Sequence, residues 1–152
     1  MEYAQLIAEL AGKVGLPELS PDADGATSLS VDGQELALVE KTDTGDLVLM
    51  AEAGDVPQEG RDQFFRKLLE KLGDREETNG AVYSVEPETK KVFLHQTAKL
   101  LLLDAEKLMA MLAAFAEVVR RTQMFATDFR ASSSAETDQP TPVFGASDFI
   151  QV

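Results

Sequence analysis

The chain has 152 residues, of which 27 are acidic and 14 basic, and it contains no cysteine. This length suits one domain, and a chain without cysteine has no disulfide framework, thiolate zinc site or cysteine nucleophile. No apolar run is long enough to span a bilayer, and no signal-like segment opens the chain. We therefore expect a cytoplasmic location and no insertion into a membrane.

The negative charge is concentrated in the first part of the chain. Residues 1–60 carry 13 acidic and two basic residues, a net charge of −11, whereas residues 61–130 carry a net charge of +1. Nucleic acid is therefore disfavoured as a partner, because binding to phosphates needs a basic stripe. An acidic face suits a basic or unfolded polypeptide; the alternative interpretation is that it only aids solubility.

Apolar spacing predicts a helix over residues 3–14, followed by a loop rich in glycine and proline. Three strands are predicted next, over residues 27–32, 34–41 and 47–52, and the pair Asp32-Gly33 indicates a hairpin between the first two. The second and third strands are apolar at nearly every position. Both faces of the predicted sheet therefore need cover.

The second half of the chain predicts a helix over residues 61–72, a hairpin of strands over 82–86 and 91–96, and a long helix over about 105–125. Asp104 is expected to cap the long helix. The order is α-β-β-β-α-β-β-α, which predicts the α+β class with a mainly antiparallel sheet. We expect one domain over residues 1–128 and a flexible tail over 129–152.

No residue pattern predicts catalysis or metal binding. His95 is the single histidine, and no second histidine or cysteine completes a catalytic group, so a hydrogen-bonded histidine within a sheet is the favoured interpretation. Residues 22–25 resemble the start of a calcium loop, but the remaining ligand positions are out of register. We therefore expect no catalytic residue, no metal and no cofactor, and hence a protein that is not an enzyme.

Five local sequences follow one another in a fixed order: the opening helix at residues 6–16, the strand segments at 29–33, 36–40 and 47–51, and the start of the last helix at 103–108. In this order they resemble the class I type III secretion chaperones, the Tir chaperone or CesT-like family. The resemblance covers residues 1 to about 126. It implies a homodimer that binds the N-terminal segment of a secreted effector in extended form, without ATP, in the bacterial cytoplasm.

The residues themselves favour binding to a protein partner, because two-faced apolar strands leave hydrophobic surface that one protomer does not cover. The residues expected to bind the client are Leu6, Ile7, Leu10, Leu29, Val31, Leu36, Leu38, Val48 and Met50. The residues expected at the dimer interface are Phe64, Phe65, Leu68 and Val82.

Alternative interpretations stay open at this point. The chain could be a regulatory adaptor of the same fold with no role in secretion, or a small-ligand carrier, which would need an enclosed pocket. A further alternative is that the apolar residues named for client binding and dimer contact have no binding role and simply complete the core. A further hypothesis places the apolar end of the tail, with Val143, Phe144, Phe149 and Ile150, in the client groove.

Overall fold

The fold is known from a computed structural model that describes residues 2–16 and 19–137. Its elements are α1 (Tyr3–Val14), β1 (Ala26–Val31), β2 (Gln34–Lys41), β3 (Asp46–Asp55), α2 (Arg61–Leu72), α3 (Arg75–Thr78), β4 (Val82–Glu86), β5 (Lys91–Lys99) and α4 (Ala105–Thr137), with a 3-10 turn (Leu100–Leu102) before α4. The predicted α+β class and order of the main elements are confirmed. The single turn α3 and the 3-10 turn are too short to produce a periodic signal, and they were not predicted.

The strands form one antiparallel sheet in the order β1-β2-β3-β5-β4. The predicted hairpin between β1 and β2 is confirmed, because Val31 pairs with Gln34 across a two-residue turn. Asp32 and Gly33 have φ of 50° and 82°. Two consecutive positive φ angles define the turn type that matches the twist of a hairpin. Strands β1 and β4 lie at the two edges of the sheet.

Strand β3 continues beyond its predicted end at residue 52, through a bulge between Glu52 and Asp55. Gly54 lies in this bulge with a φ of 121°, which favours glycine. A Cβ atom at Gly54 would lie 3.2 Å from the Cβ of Ala126 in α4. Glycine therefore lets the strand approach the helix closely.

Helices α1 and α4 pack on one face of the sheet, which we call the covered face. Leu38, Leu49 and Leu94 lie on this face in neighbouring strands and are fully buried. The hydroxyl of Tyr3 joins α1 to the sheet, at 2.7 Å from Thr27 Oγ1 and 3.3 Å from the carbonyl oxygen of Leu38. Burial raises the pKa of Tyr3, so this hydroxyl stays protonated.

Helix α2 packs against α4 through aromatic rings. The Phe64 ring stacks on Phe125 at 5.4 Å between centroids and meets Phe129 edge-on at 5.3 Å. Helix α4 extends beyond its predicted end at residue 125 and continues to Thr137, and the buried side chain of Phe129 lies in this added part. The apolar residues of the predicted tail end lie outside the described residues.

Candidate functional site on the open face of the sheet

The second face of the sheet, which we call the open face, carries a straight row of side chains across all five strands. Paired positions place Ser28, Ala37, Met50, His95 and Val82 side by side from β1 to β4. Within residues 2–16 and 19–137, no helix packs over this row. Its apolar members are therefore only partly buried, and the Val82 side chain on edge strand β4 is 53% exposed.

A groove of about 480 Å³ runs along the open face. Met50 and Phe93 provide apolar surface in it, while the carboxylates of Glu35 and Glu52 border it. Glu52 also accepts a hydrogen bond from Lys91 Nζ at 2.7 Å. The groove thus combines an apolar floor with acidic side chains and is open to solvent, unlike the enclosed pocket expected of a small-ligand carrier.

His95 lies on the open face, in strand β5 next to the edge strand β4. Its Nε2 is 2.5 Å from the hydroxyl of Ser84, which confirms the expected hydrogen-bonded sheet histidine. Burial lowers the pKa of His95, because a partly dehydrated site disfavours the imidazolium. The part of the chain that the structure describes holds no group of three or more His, Asp or Glu residues arranged for a metal ion.

Most residues predicted to bind the client lie on the covered side of the sheet. Six of the nine are buried in the core: Leu6, Ile7, Leu10, Leu29, Leu36 and Leu38. Val31 is half-buried on the same face as Leu29. Contact between a client and these residues would require displacement of α1 or α4, so in the folded protomer they are core residues.

Val48 and Met50 are the two members of the predicted client set that lie on the open face. The register explains the division, because Ala37 pairs with Met50 while Leu38 pairs with Leu49, and neighbouring residues of a strand point to opposite faces. The prediction drew residues from both faces. Phe93 and His95, which complete the open face, were missed, although their alternation with the buried Val92 and Leu94 was visible in the sequence.

The residues predicted at the dimer interface also divide into core and surface. Phe64 and Leu68 are buried, whereas Phe65 is half-buried and Val82 is exposed. Leu69, which the predicted set omitted, is 66% exposed and lines a surface groove of α2 together with Phe65. Their spacing of four residues places the two side chains next to each other on the helix, and this spacing was the available signal.

The described helices include none long and apolar enough to cross a membrane. The sequence matches the model of the Tir chaperone protein (CesT) family over residues 5–123. The chain therefore belongs to this family, which confirms the resemblance drawn from its local sequences. A search of curated proteins returns no match.

Several solved structures are similar to this chain in fold. A chain of the ExsC–ExsE complex is 29% identical, with a TM-score of 0.66 over 79% of this chain and 90% of that one. A chain of the complex of the Yersinia pestis type III secretion chaperone SycH with a stable fragment of YscM2 is 16% identical, with a TM-score of 0.63 over 80% of this chain and 99% of that one. The ExoU–SpcU complex of Pseudomonas aeruginosa contributes a chain 18% identical, with a TM-score of 0.59 over 80% and 93%. The family match makes the protein a member of the Tir chaperone family, and these likenesses show that it shares the fold of the solved chains.

Proposed function

We propose that the protein is a non-enzymatic, ATP-independent chaperone that binds the N-terminal segment of a type III secretion effector in extended form. It keeps this segment soluble and competent for export, in the bacterial cytoplasm. Membership of the Tir chaperone family supports the class of function. The observation that carries the binding mode is the open face, where the apolar side chains of Ala37, Met50 and Val82 lie in one row across the sheet without cover from the described helices.

The geometry of the open face suits an extended segment. Neighbouring strands lie about 4.8 Å apart, so the row from Ser28 to Val82 spans roughly 19 Å. An extended client that presents alternate apolar side chains can place them against Met50 and Phe93. It can also add a strand at β1, which pairs with β2 on one side and with no other described strand on its outer side.

The charge of the groove favours a client with basic residues. Glu35 and Glu52 border the apolar floor, in the part of the chain with a net charge of −11. Lysine or arginine side chains of an extended segment would lie within reach of these carboxylates while its apolar side chains contact the floor. The groove would therefore select amphipathic, basic segments over acidic ones.

Homodimerisation through α2 and edge strand β4 is part of the proposal. Phe65 and Leu69 form an apolar strip on the outer side of α2, and Val82 adds exposed apolar surface on β4. The strip of Phe65 and Leu69 carries the proposal, because exposed apolar side chains that lie next to each other mark a site of protein contact.

Co-purification of the tagged protein from its own cells, followed by mass spectrometry, tests the client proposal. We expect an exported protein bound through its N-terminal segment. Met50→Glu should weaken binding of that segment roughly tenfold or more, about 1.4 kcal/mol, because it places a charge on the apolar floor. Val14→Glu is the matched control, since Val14 is 42% exposed at the end of α1, away from the open face.

Two results would contradict the client proposal. One is a partner that is not exported or that binds through a folded domain, which would favour the regulatory adaptor. The other is equal binding by Met50→Glu and Val14→Glu, which would remove the open face from the binding mode.

Light scattering tests the dimer proposal. Leu69→Glu or Phe65→Glu should convert the dimer into monomers, whereas Val14→Glu should leave it intact. Leu68→Glu is not an equivalent test, because Leu68 is buried and its replacement would unfold the protomer. A dimer that persists in Leu69→Glu and in Phe65→Glu places the interface elsewhere.

A further inference from the structure

A second groove, between α2 and α4, is basic although the whole chain has a net charge of −13. It has a volume of about 530 Å³. Its lining residues include four of the chain's 14 basic residues, Lys67, Lys71, Arg120 and Arg121, together with Met124, Phe125 and Phe129. Two carboxylates also line it, those of Glu77 and Asp128. The groove therefore has an excess of positive charge beside aromatic rings.

The positive charges of this groove are only partly neutralised within the protein. Lys71 pairs with Glu77, and Arg120 forms a close ion pair with Glu117 at 2.6 Å. Among the described residues Lys67 forms no ion pair, and its Nζ lies 5.7 Å above the Phe129 ring.

The remaining arginine of the groove is also weakly paired. Arg121 Nε lies 3.8 Å from a Glu117 oxygen that Arg120 already holds. Lys67 and Arg121 thus remain available to carboxylates of a bound segment.

The apolar part of the groove is accessible as well. Met124 is 52% exposed and Phe125 is half-buried. The flexible thioether of Met124 adapts to different apolar side chains. Aromatic side chains of a bound segment can contact both this thioether and the Phe125 ring. The chemistry of this groove therefore fits an acidic segment that also carries aromatic and aliphatic residues.

Residues 138–152 of the same chain have this composition. They contain Asp138 and Asp148, no lysine or arginine, and five large apolar residues, Val143, Phe144, Phe149, Ile150 and Val152. The segment also starts close to the groove, because Ser132 lines the groove and α4 ends at Thr137.

The segment is long enough to return along α4. With a rise of about 1.5 Å per residue, Phe125 lies about 18 Å back along the helix from Thr137. An extended chain covers this distance in about six residues, at about 3.3 Å per residue. Phe144 is seven residues beyond Thr137, so it can reach the ring of Phe125, and residues after it can reach Arg121.

We propose that residues 138–152 fold back into the basic groove between α2 and α4 of their own chain. Phe144 contacts Met124 and Phe125, and Asp148 lies near Lys67 and Arg121. The open face is the less favourable location for this segment, because the carboxylate of Glu35, which forms no ion pair with a described residue, borders its groove and repels acidic side chains, although Glu52 is already paired with Lys91. This differs from the sequence-based hypothesis that the tail occupies the client groove, and it does not depend on the proposed function.

Methionine methyl NMR of the full chain with one nitroxide label tests the proposal. The chain has no cysteine, so Ser147→Cys provides a single attachment point. Met124 reports on the basic groove and Met50 on the open face, which gives each candidate location its own signal. We expect loss of most of the Met124 methyl signal and retention of the Met50 signal.

Charge reversal shows whether the basic side chains hold the segment. Lys67→Glu combined with Arg121→Glu should restore the Met124 signal, whereas Lys41→Glu combined with Lys107→Glu, at exposed positions outside the groove, should not. The same restoration is expected for the unsubstituted groove at about 1 M salt, where the screening length falls to about 3 Å. This second measurement needs no change in the groove and does not depend on the stability of the reversal variant.

Three results would overturn the proposal. Full retention of the Met124 signal would show that the segment does not lie in the groove. Loss of the Met50 signal instead would place the segment on the open face. The third result comes from a mixture in which one protein carries the nitroxide label and the other carries the isotope that gives the methyl signal. Loss of the Met124 signal in this mixture would show that the segment comes from a second copy.

Discussion

The covered and open faces of the sheet come from the same strands but differ in burial. Leu38 and Leu49 on the covered face are fully buried, while their neighbours Ala37 and Met50 on the open face are half-buried. Both sets are apolar, and strand preference does not distinguish them. The difference arises because α1 and α4 pack on one face, so alternate residues of one strand are buried in the core on one side and remain accessible on the other.

The largest expected effect is the loss of a covered-face leucine. Leu38→Ala should lower the free energy of unfolding by about 2 to 5 kcal/mol, because it leaves a cavity beneath the helices. Val39→Ala is the matched open-face control and should cost about 1 kcal/mol or less, since Val39 is half-buried. Urea denaturation measures both, and equal losses would mean that the two faces are equally covered.

A smaller loss is expected where β3 approaches α4. Gly54→Ala should cost about 1 to 3 kcal/mol, because alanine is strained at a φ of 121° and its Cβ would press on Ala126. Gly12→Ala in α1 is the comparison, because the added Cβ meets open space. Alanine is favoured over glycine in a helix since it lowers the conformational entropy of the unfolded chain, so the free energy of unfolding should rise by up to about 1 kcal/mol. A Gly54→Ala variant as stable as the parent would show that β3 and α4 separate easily.

The start of the covering helix α4 should matter less. Asp104 Oδ1 accepts a hydrogen bond from the backbone N–H of Lys107 at 2.8 Å, which confirms the predicted cap. Asp104→Ala should cost about 1 kcal/mol in thermal or urea unfolding. Asp104→Asn keeps an acceptor oxygen, so it should lower the free energy of unfolding by less than Asp104→Ala does. Equal losses for the two variants would show that the negative charge of Asp104, and not its hydrogen bond, stabilises the helix.

The smallest expected effect concerns His95 on the open face. Burial lowers its pKa below the ordinary value of 6.5, so the unfolded chain binds this proton more readily than the folded protein. The stability contribution of His95 is therefore complete above pH 6.5 and decreases as the pH falls below that value. The difference in unfolding free energy between the parent and His95→Gln, measured against pH, should show this decrease; a difference independent of pH would mean that the imidazole is fully hydrated.

Local sequence determined the main helices and strands of this protein, their order and several of their boundaries. Asp32-Gly33 specifies the hairpin between β1 and β2, and Asp104 specifies the start of α4, because turn and cap preferences depend on neighbouring residues alone. The same local sequences also supported the family, which the match over residues 5–123 confirms.

Tertiary structure decided which apolar residues became core and which remained on the surface. The sequence of β2 and β3 is apolar on both sides, and the docking of α1 and α4 determines that Leu36 and Leu38 are buried while Met50 lies open. The same long-range packing buries Phe129 against Phe64, and α4 continues past its predicted end. Burial depends on contacts between residues far apart in the chain, and a local pattern of apolar residues does not encode which partner will cover it.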